Sequence, residues 1–299
     1  MSSDDLATPA GAARVLRAFG IRPRKRWGQH FLVSRRALDQ ILAAADLTDQ
    51  DTVLEIGAGL GTLTAALAER AGRVIAVEID RALLPALQAA VGSCPNVQTI
   101  IDDAMTIDLA AAFGASPGPR KFVANLPYNV ASALIVALLE PPLGVQRMVV
   151  TVQREVAGRL SARPGTKDYG ILSVAAQFRA EVAVVDTLPA SAFMPPPEVE
   201  SAVVRLETRE RPVCPVLDEG MFFRVVRAAF SQRRKTVRNA LAGGFPMPAS
   251  DAEAACLQAG VAPGRRGETL HLVEFAALAD AVTKMVGQRN AGVAQEGVS

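Results

Sequence analysis

The hydrophobic and polar positions of this chain follow two repeat patterns in turn. Short β-branched runs in which most residues are apolar alternate with stretches whose apolar residues recur every three or four positions. The first pattern is typical of buried strands and the second of amphipathic helices. The predicted strands are 52–56, 73–78, 97–101, 121–124 and 147–153, and the predicted helices are 35–45, 62–71, 82–90 and 131–139. Strands separated by helices of this length predict an α/β fold with a mostly parallel, doubly wound sheet.

The pattern changes in the last third of the chain. Residues 180–206 are again β-branched, and three consecutive prolines at 195–197 predict a stiff loop before a further strand. Beyond residue 207 the periodicity predicts only helices, at 221–241, 250–259 and 270–286. We therefore predict a flexible basic arm at 1–24, an α/β domain at 25–209, a smaller all-helical domain at 210–286 and a disordered tail at 287–299.

Composition narrows the class of protein. With 299 residues, half of them hydrophobic, the chain can bury a core in each of two domains. No apolar run approaches the roughly 18 residues that a membrane helix requires, and the N-terminus lacks the pattern of a secretory signal. The three cysteines have neither disulfide nor zinc spacing. We expect a cytoplasmic protein without a metal or a membrane partner, and no exposed stripe argues for more than a monomer.

A glycine cluster follows the first predicted strand. Gly57, Gly59 and Gly61 have the spacing GxGxG, which is neither the GxGxxG dinucleotide fingerprint nor a phosphate-binding P-loop. Glycines at a strand-to-helix turn let a ligand approach backbone N–H groups. Glu78 ends the next strand, where a carboxylate can accept hydrogen bonds from both hydroxyls of a ribose. A ribose site without a pyrophosphate loop fits S-adenosylmethionine.

A third acidic position follows the next predicted strand. Asp103 can accept a hydrogen bond from the adenine amine of that cofactor, and Asp102 is the competing choice. Taken alone, a GxGxG turn or an acid at a strand end is commonly structural. Their order on successive strands is what predicts a cofactor site.

The segment NLPYN follows the fourth predicted strand, at the sheet edge where open α/β folds bind ligands. The exocyclic nitrogen of adenine is a poor nucleophile because its lone pair is delocalised into the ring. The Asn125 side-chain oxygen and the Leu126 carbonyl can hold both N–H protons of that amine. Pro127 fixes the turn, and Tyr128 can stack on a flipped base. The segment predicts methyl transfer to adenine, which needs no metal; an ordinary proline turn is the alternative.

Phe193, just before the three prolines, has two interpretations of equal weight. It is either a second aromatic face for the target base, held by the stiff loop, or a core phenylalanine that anchors that loop.

Basic residues are unevenly distributed, although the net charge is only +2. Such clusters attract phosphates without reading sequence, whereas any one of these residues can equally be an ordinary solvated charge. The predicted RNA-binding residues are Arg24, Lys25 and Arg26 near the N-terminus, and Arg224, Arg227, Arg233, Arg234, Lys235 and Arg238 on one predicted helix.

From about residue 24 to residue 275, the chain resembles the small-subunit (16S) ribosomal RNA adenine dimethyltransferases, relatives of the erythromycin-resistance rRNA methylases. The strings that carry the resemblance are KRWGQHFL, EIGAGLGTLT, EID, DAM, NLPYNVAS, QREVAGRLSARPGTKDYGILSV, FMPPPEVESAVV and FSQRRKTVRNAL. It implies a Rossmann-like fold and two methylations on each of two adjacent adenosines, in a hairpin loop near the 3′ end of 16S rRNA in the small ribosomal subunit.

The resemblance also implies cofactor contacts. They fall on His30, Leu32, Gly57, Glu78, Asp103 and Asn125. His30 stands where the family often has Asn, so a contact through its backbone is expected more than one through its side chain. From the residues alone, the string GQHFL is only a loop before a helix.

Three alternatives remain open. A large-subunit (23S) rRNA adenine methylase of macrolide resistance is disfavoured by the combination of NLPYN, GQHFL and PPPEV. A DNA adenine methylase is disfavoured by Leu126 and by the absence of an aromatic-rich recognition domain. A ribosome assembly factor with secondary catalysis would keep the same basic surface and the same cofactor site.

Overall fold

The computed structural model describes residues 3–24, 27–114, 118–139, 143–232 and 234–296. The chain divides into two compact units. The first contains Met1–Gly158 and Glu181–Thr208, and the second contains Arg159–Ala180 and Arg209–Ser299.

The strands are β1 (Phe31–Leu32), β2 (Thr52–Ile56), β3 (Arg73–Glu78), β4 (Val97–Ile101), β5 (Arg120–Asn125), β6 (Val145–Gln153), β7 (Ala180–Leu188), β8 (Phe193–Met194) and β9 (Ser201–Thr208). The helices before residue 162 are α1 (Ser3–Leu6), α2 (Pro9–Ala18), α3 (Arg35–Ala45), α4 (Thr62–Ala68), α5 (Leu84–Val91), α6 (Leu109–Phe113), α7 (Ala131–Leu138) and α8 (Arg154–Ser161). The later helices are α9 (Ile171–Arg179), α10 (Glu219–Ser231), α11 (Val237–Gly244), α12 (Ala249–Gln258) and α13 (Leu272–Glu296).

Seven strands form one sheet in the order β4-β3-β2-β5-β6-β9-β7. The first five strands in this order, β4, β3, β2, β5 and β6, run parallel to one another. Strand β9 runs antiparallel to β6. The mostly parallel, doubly wound sheet is thus confirmed. The chain steps from β2 outward to β3 and β4, and then returns to place β5 on the other side of β2. The carboxyl ends of β2 and β5 therefore form the switch point at which such sheets bind ligands.

The central strands β2, β3 and β5 are mostly apolar because both faces of the sheet are covered there. Val53 and Val74 belong to a buried cluster with Leu38 of α3, whereas Ala76 belongs to a cluster with Leu87 of α5 on the other side. Every residue of β2 is buried. This two-sided burial explains why the short apolar runs located β2 and β3 to the residue.

The N-terminal residues are not the flexible arm that their charges predicted. Helices α1 and α2 bury Leu6, Ala12 and Val15, each at most 1% exposed, in the same cluster as Leu87. The Thr8 side chain caps α2 by accepting a hydrogen bond from the Gly11 N–H. The prediction was wrong because it considered only the basic residues of this segment. The apolar residues Leu6, Ala12 and Val15 lie among them at multiples of three positions and form one buried side.

The predicted helix 221–241 is two helices. Helix α10 ends at Ser231 and α11 begins at Val237, whose N–H donates to the Arg265 carbonyl at 2.7 Å. Thr236 forms an isolated bridge with Arg266 and caps α11. Backbone partners nearly thirty positions away in sequence break the helix, so periodicity alone missed the break.

The second unit draws on a segment that the sequence prediction had placed in the first. Phe178 of α9 stacks on Phe222 of α10 with ring centroids 4.3 Å apart, and Tyr169 lies in the same buried cluster. The predicted boundary at residues 209–210 agrees with the start of the second stretch of this unit, at Arg209. The segment Arg159–Ala180 belongs with the helices because its aromatic side chains complete their core.

The predicted disordered tail also differs from the structure. Helix α13 continues through Glu296, because its two late glycines, Gly287 and Gly292, cost only about 1 kcal/mol each in a helix and no proline follows them. Residues 297–299 lie outside the described residues. None of the helices in the described ranges combines the length and apolar character that crossing a bilayer demands.

Candidate active site

The glycine loop between β2 and α4 requires its glycines. Gly57, Gly59 and Gly61 have φ angles of 80°, 58° and 84°, in the left-handed region that L side chains rarely adopt. A Cβ on Gly61 would also lie 2.7 Å from the Cβ of Ala90. The loop can therefore turn tightly at the carboxyl end of β2 only with this sequence.

Glu78 ties the glycine loop to the end of β3. Its Oε2 accepts a hydrogen bond from the Gly59 N–H at 2.8 Å, and its Oε1 accepts one from the Asp80 N–H at 2.9 Å. Burial raises the pKa of the Glu78 carboxyl, and these backbone donors oppose the rise. Each carboxylate oxygen keeps a second acceptor position. Glu78 can thus still accept two hydroxyl groups.

The acidic pair after β4 lies at the same edge. Asp103 Oδ1 accepts a hydrogen bond from the Met105 N–H at 2.9 Å, and the Asp103 N–H donates to Asp102 Oδ1 at 2.8 Å. Asp102 is exposed and Asp103 half-buried. Both residues line one cavity at this edge of the sheet. The assignment of the contact with the cofactor's adenine amine to Asp103 therefore stays a prediction.

Asn125, the last residue of β5, is held in one orientation. Its Nδ2 donates to the His30 carbonyl at 2.9 Å, which leaves Oδ1 as the acceptor that can face a ligand. The His30 ring in turn donates from Nδ1 to the Pro195 carbonyl at 2.7 Å, because a carbonyl oxygen can only accept. In the sequence, the GQHFL segment was linked to the cofactor only by family resemblance. The structure shows that His30 of this segment orients the Asn125 amide.

The residues after Asn125 form the predicted tight turn. Leu126 is buried, and its N–H donates to the Thr151 carbonyl at 3.2 Å. The Pro127 carbonyl accepts a hydrogen bond from the Val130 N–H, also at 3.2 Å. The turn fixes the direction of the chain at the point where Tyr128 leaves it.

Tyr128 is held at both ends of its side chain. Its ring stacks on the ring of His30, with centroids 5.4 Å apart and planes 24° from parallel. Its hydroxyl hydrogen-bonds to Ser201 Oγ at 2.5 Å, and burial raises the pKa of that phenol. Sequence reasoning missed Ser201, whose only signal was its place at the end of the FMPPPEVES string.

One cavity brings these groups together. Glu55 and Trp27 also line it, and Glu55 Oε2 is a buried oxygen without a hydrogen-bond partner. Acceptors for a ribose, an unsatisfied carboxylate oxygen and glycine backbone fit a nucleoside cofactor with a positive charge. The predicted residues that line the cavity are His30, Leu32, Gly57, Gly59, Glu78, Asp103, Asn125, Leu126, Pro127 and Tyr128. Within the described ranges, no group of three or more His, Cys, Asp or Glu side chains is arranged to hold a metal ion.

Phe193 is not part of this cavity lining. Its side chain is 2% exposed and packs with Leu188, Ala192 and Val203 against α3. Strand β8 also pairs with β1, which sets Phe193 opposite Leu32. The structure thus supports a core phenylalanine that anchors the proline loop, and the alternative of a base-stacking ring is not supported.

The basic residues near the N-terminus are partly engaged within the protein. The Arg24 guanidinium lies 3.3 Å from Asp80 Oδ1 and 4.8 Å from the centroid of the Trp27 ring. Lys25 and Arg26 lie outside the described residues. Arg24 is still 42% exposed, so an RNA contact by this residue stays a prediction.

The basic residues of the second unit differ in their surroundings. Arg224 of α10 lies over the Phe245 ring at 4.9 Å, and Arg238 of α11 pairs with Glu253 at 3.4 Å. Arg227, Arg234 and Lys235 are exposed. Arg233 lies outside the described residues, and the group is distributed over α10, α11 and the connection between them instead of one helix.

Four features define the class of protein: the cavity at the switch point, the left-handed glycine loop, the acid at the end of β3 and the asparagine turn after β5. This is a Rossmann-like methyltransferase. Residues 20–278 match the family model described as ribosomal RNA adenine dimethylase. The chain belongs to that family, as the resemblance predicted, and methyltransferases of this type use S-adenosylmethionine.

Individual relatives agree with the family match. The ribosomal RNA small subunit methyltransferase A of Pelotomaculum thermopropionicum is 48% identical over 95% of this chain and 99% of its own. A dimethyladenosine transferase from Plasmodium falciparum superposes with a TM-score of 0.68 at 25% identity, over 83% of this chain and 95% of its own. The 23S rRNA methyltransferase ErmE superposes with a TM-score of 0.64 at 28% identity, over 84% of this chain and 98% of its own.

Proposed function

We propose that this protein dimethylates the N6 amines of two adjacent adenosines in a hairpin loop near the 3′ end of 16S rRNA, within the small ribosomal subunit. The observation that carries the proposal is the Asn125 amide, whose Nδ2 is bonded to the His30 carbonyl so that Oδ1 remains as an acceptor. The relative from Pelotomaculum thermopropionicum, named for the small subunit, supports this RNA target over the others.

The chemistry follows from what the turn can hold. Asn125 Oδ1 and the Leu126 carbonyl accept the two N–H groups of the adenine amine, which orients its lone pair for attack. When bound, S-adenosylmethionine supplies a methyl group already activated by its sulfonium. Positioning and electrostatics then account for most of the catalysis. Glu78 holds the ribose, and Asp103 holds the adenine amine of the cofactor.

Tyr128 offers an aromatic face on which the target base can stack. Adenines in a hairpin loop are already partly unstacked, so drawing one into the cavity costs less than flipping a base from a duplex. The exposed Arg227, Arg234 and Lys235 are suited to contact the phosphates of the same RNA. We place the protein in the cytoplasm, acting as a monomer.

The test is transfer of radiolabelled methyl groups from S-adenosylmethionine to three substrates: small subunits that lack adenine dimethylation, large-subunit RNA and duplex DNA. Nucleoside analysis of the product should show dimethyladenosine from the small subunit only. Label in large-subunit RNA, the substrate class that the likeness to ErmE makes the closest rival, would overturn the target and keep the adenine chemistry.

Asn125→Ala separates catalysis from a role in subunit assembly. The substitution removes the acceptor for the amine, so methyl transfer should fall by about 10²-fold or more, the scale of losing one oriented polar contact. Binding to the small subunit, measured by co-sedimentation, should persist. If binding is lost as strongly as methylation, the two roles are not separable at this residue.

A further inference from the structure

The segment that leads into β1 forms part of the wall of the cavity, although its side chains take no part in the proposed methyl transfer. Trp27, Gly28, Gln29 and His30 all line the cavity. The ring of His30 is anchored on the proline loop, at the Pro195 carbonyl. The residues of this wall that precede His30 need an attachment of their own.

A buried carboxylate provides that attachment. Asp80, two residues after the end of β3, is 3% exposed. Its Oδ2 accepts a hydrogen bond from Gln29 Nε2 at 3.0 Å, and its Oδ1 accepts one from the Arg24 guanidinium at 3.3 Å. Gln29 Oε1 in turn accepts a hydrogen bond from the Arg24 N–H at 2.7 Å. Asp80, Gln29 and Arg24 thus close a ring of three hydrogen bonds.

The same carboxylate also has a purely local role. Asp80 Oδ1 accepts a hydrogen bond from the Ala82 N–H at 3.0 Å and so caps the short 3-10 helix Arg81–Leu83. Asp, Asn and Ser all cap helices in this way. The cap accounts for Oδ1, whereas Oδ2 is bonded to Gln29 in the wall of the cavity. A cap by itself does not require that second oxygen or its charge.

We propose that Asp80 is a positioning residue for the cofactor site, whose carboxylate holds Gln29 and Arg24 in place. Through Arg24 it also holds Trp27. The Trp27 N–H donates to the Arg24 carbonyl at 3.1 Å, and the Arg24 guanidinium lies 4.8 Å from the centroid of the Trp27 ring. Asp80 is not part of the cavity lining, so its effect on a ligand passes through the residues that it holds. The inference rests on the proposed function, since S-adenosylmethionine is the ligand whose binding is measured.

Asp80→Asn tests the proposal because it separates the two roles. Asparagine caps helices as well as aspartate does, so residues 81–83 keep their cap. With its oxygen at the cap, the amide nitrogen faces Gln29 Nε2, and two donors cannot bond. The Kd for S-adenosylmethionine, measured by titration calorimetry, should rise by about tenfold or more, the scale of one charge-assisted hydrogen bond. An unchanged Kd would overturn the proposal.

The chain carries its own reporter of this wall, because Trp27 is its only tryptophan. Quenching of tryptophan fluorescence by acrylamide, an uncharged molecule, measures how well the indole ring is shielded. In the protein without cofactor, quenching should be stronger in Asp80→Asn than in the natural protein. Equal quenching would contradict the proposal, because it would show that Asp80 does not hold the wall.

Steady-state kinetics distinguishes a positioning residue from one that supports the whole domain. Asn125, which is proposed to hold the target amine, is bonded to His30, and His30 is anchored separately at Pro195. Asp80→Asn should therefore raise the KM for the cofactor and leave kcat within about twofold, the pattern expected when uniform binding is lost. A fall in kcat as large as the rise in KM would count against the proposed role.

Asp51→Asn is the matched control. Asp51 is also buried, at 2% exposed, and its carboxylate lies 2.9 Å from Lys121 Nζ and accepts a hydrogen bond from the Thr48 N–H at 2.6 Å. It directly precedes β2, at the amino end of that strand, so its substitution can destabilise the domain without changing the cavity wall. Kd and Trp27 quenching should match those of the natural protein. Changes as large as in Asp80→Asn would mean general destabilisation and would overturn the proposal.

Gln29→Ala keeps the proposal testable if Asp80→Asn does not fold. It removes both hydrogen bonds of the Gln29 amide and leaves the cap of residues 81–83 intact. Trp27 quenching should rise, and where both variants fold, the double variant should be quenched no more than either single variant, because all lose the same attachment. Unchanged quenching in Gln29→Ala would overturn this inference alone. Failure of the natural protein to bind S-adenosylmethionine would instead overturn the proposed function.

Discussion

Tyr128 and Ser201 are 73 positions apart in the chain, yet their hydroxyl groups share a hydrogen bond of 2.5 Å. Tyr128 follows β5, whereas Ser201 begins β9 and is fully buried. The fixed phenol and the His30 ring leave the tyrosine little freedom to rotate. A ring held in this way is prepared to receive a base without a further ordering cost.

A double-mutant cycle measures how much this hydrogen bond contributes. Tyr128→Phe and Ser201→Ala should each lower kcat/KM for the RNA by about three- to tenfold, which corresponds to roughly 0.5–1.5 kcal/mol for one hydrogen bond. The double variant should be no worse than either single variant, because both remove the same interaction. Steady-state kinetics with the small subunit provides the measurement, and additive losses would show that the two hydroxyls act independently.

At the scale of elements, the β2–α4 turn depends on backbone conformation more than on side chains. Its three glycines are left-handed, and Gly61 has in addition no space for a Cβ beside Ala90. The sequence predicted this turn well because few residues other than glycine can adopt it.

Gly61→Ala should therefore destabilise the protein by about 2–5 kcal/mol, the combined cost of a left-handed alanine and of overpacking. Gly243→Ala is the matched control: Gly243 lies in α11, and a Cβ there meets no atom within 4 Å. That change should be neutral or stabilising by about 0.5 kcal/mol. Urea unfolding gives both values, and a Gly61→Ala variant as stable as the control would contradict the packing argument.

Charge acts at the scale of the whole molecule because phosphate contacts add up across a surface. Of the described basic residues in the second unit, Arg227 and Lys235 are exposed, whereas Arg238 is paired with Glu253. The number of basic residues in a helix is thus a poor guide to the charge available to RNA.

Arg227→Gln and Lys235→Gln should each weaken RNA binding and lower the slope of log affinity against log salt concentration by about 1, the value for one phosphate contact. Arg238→Gln should change the slope less, since Glu253 already offsets that charge. Filter binding over a salt series provides the slopes. Equal effects of all three substitutions would mean that ion pairing within the protein does not select the RNA contacts.

Much of the architecture follows from local sequence. The apolar runs located β2 and β3 to the residue, because strands of a parallel sheet that are covered on both faces consist mostly of apolar residues. The glycine loop, Glu78 and the turn at Asn125 were found from their order along the chain, because parallel strands bring their carboxyl ends to one edge.

Other features required contacts between distant parts of the chain. Burial of Leu6 and Val15 makes the N-terminus part of the core, and the Arg265 carbonyl holds the start of α11 at Val237. The partners in each contact are far apart in sequence, so the order of residues does not show which segments meet.

By itself, therefore, the sequence determined the class of fold, the glycine loop after β2 and the NLPYN turn after β5, since all three depend on local residue types and on strand order. Only the tertiary structure decided which atoms those residues present. It bonds Asn125 to His30, joins Tyr128 to Ser201, places Phe193 in the core and leaves an oxygen of Glu55 without a partner. Hydrogen bonding and burial depend on neighbours in space, which the order of residues does not specify.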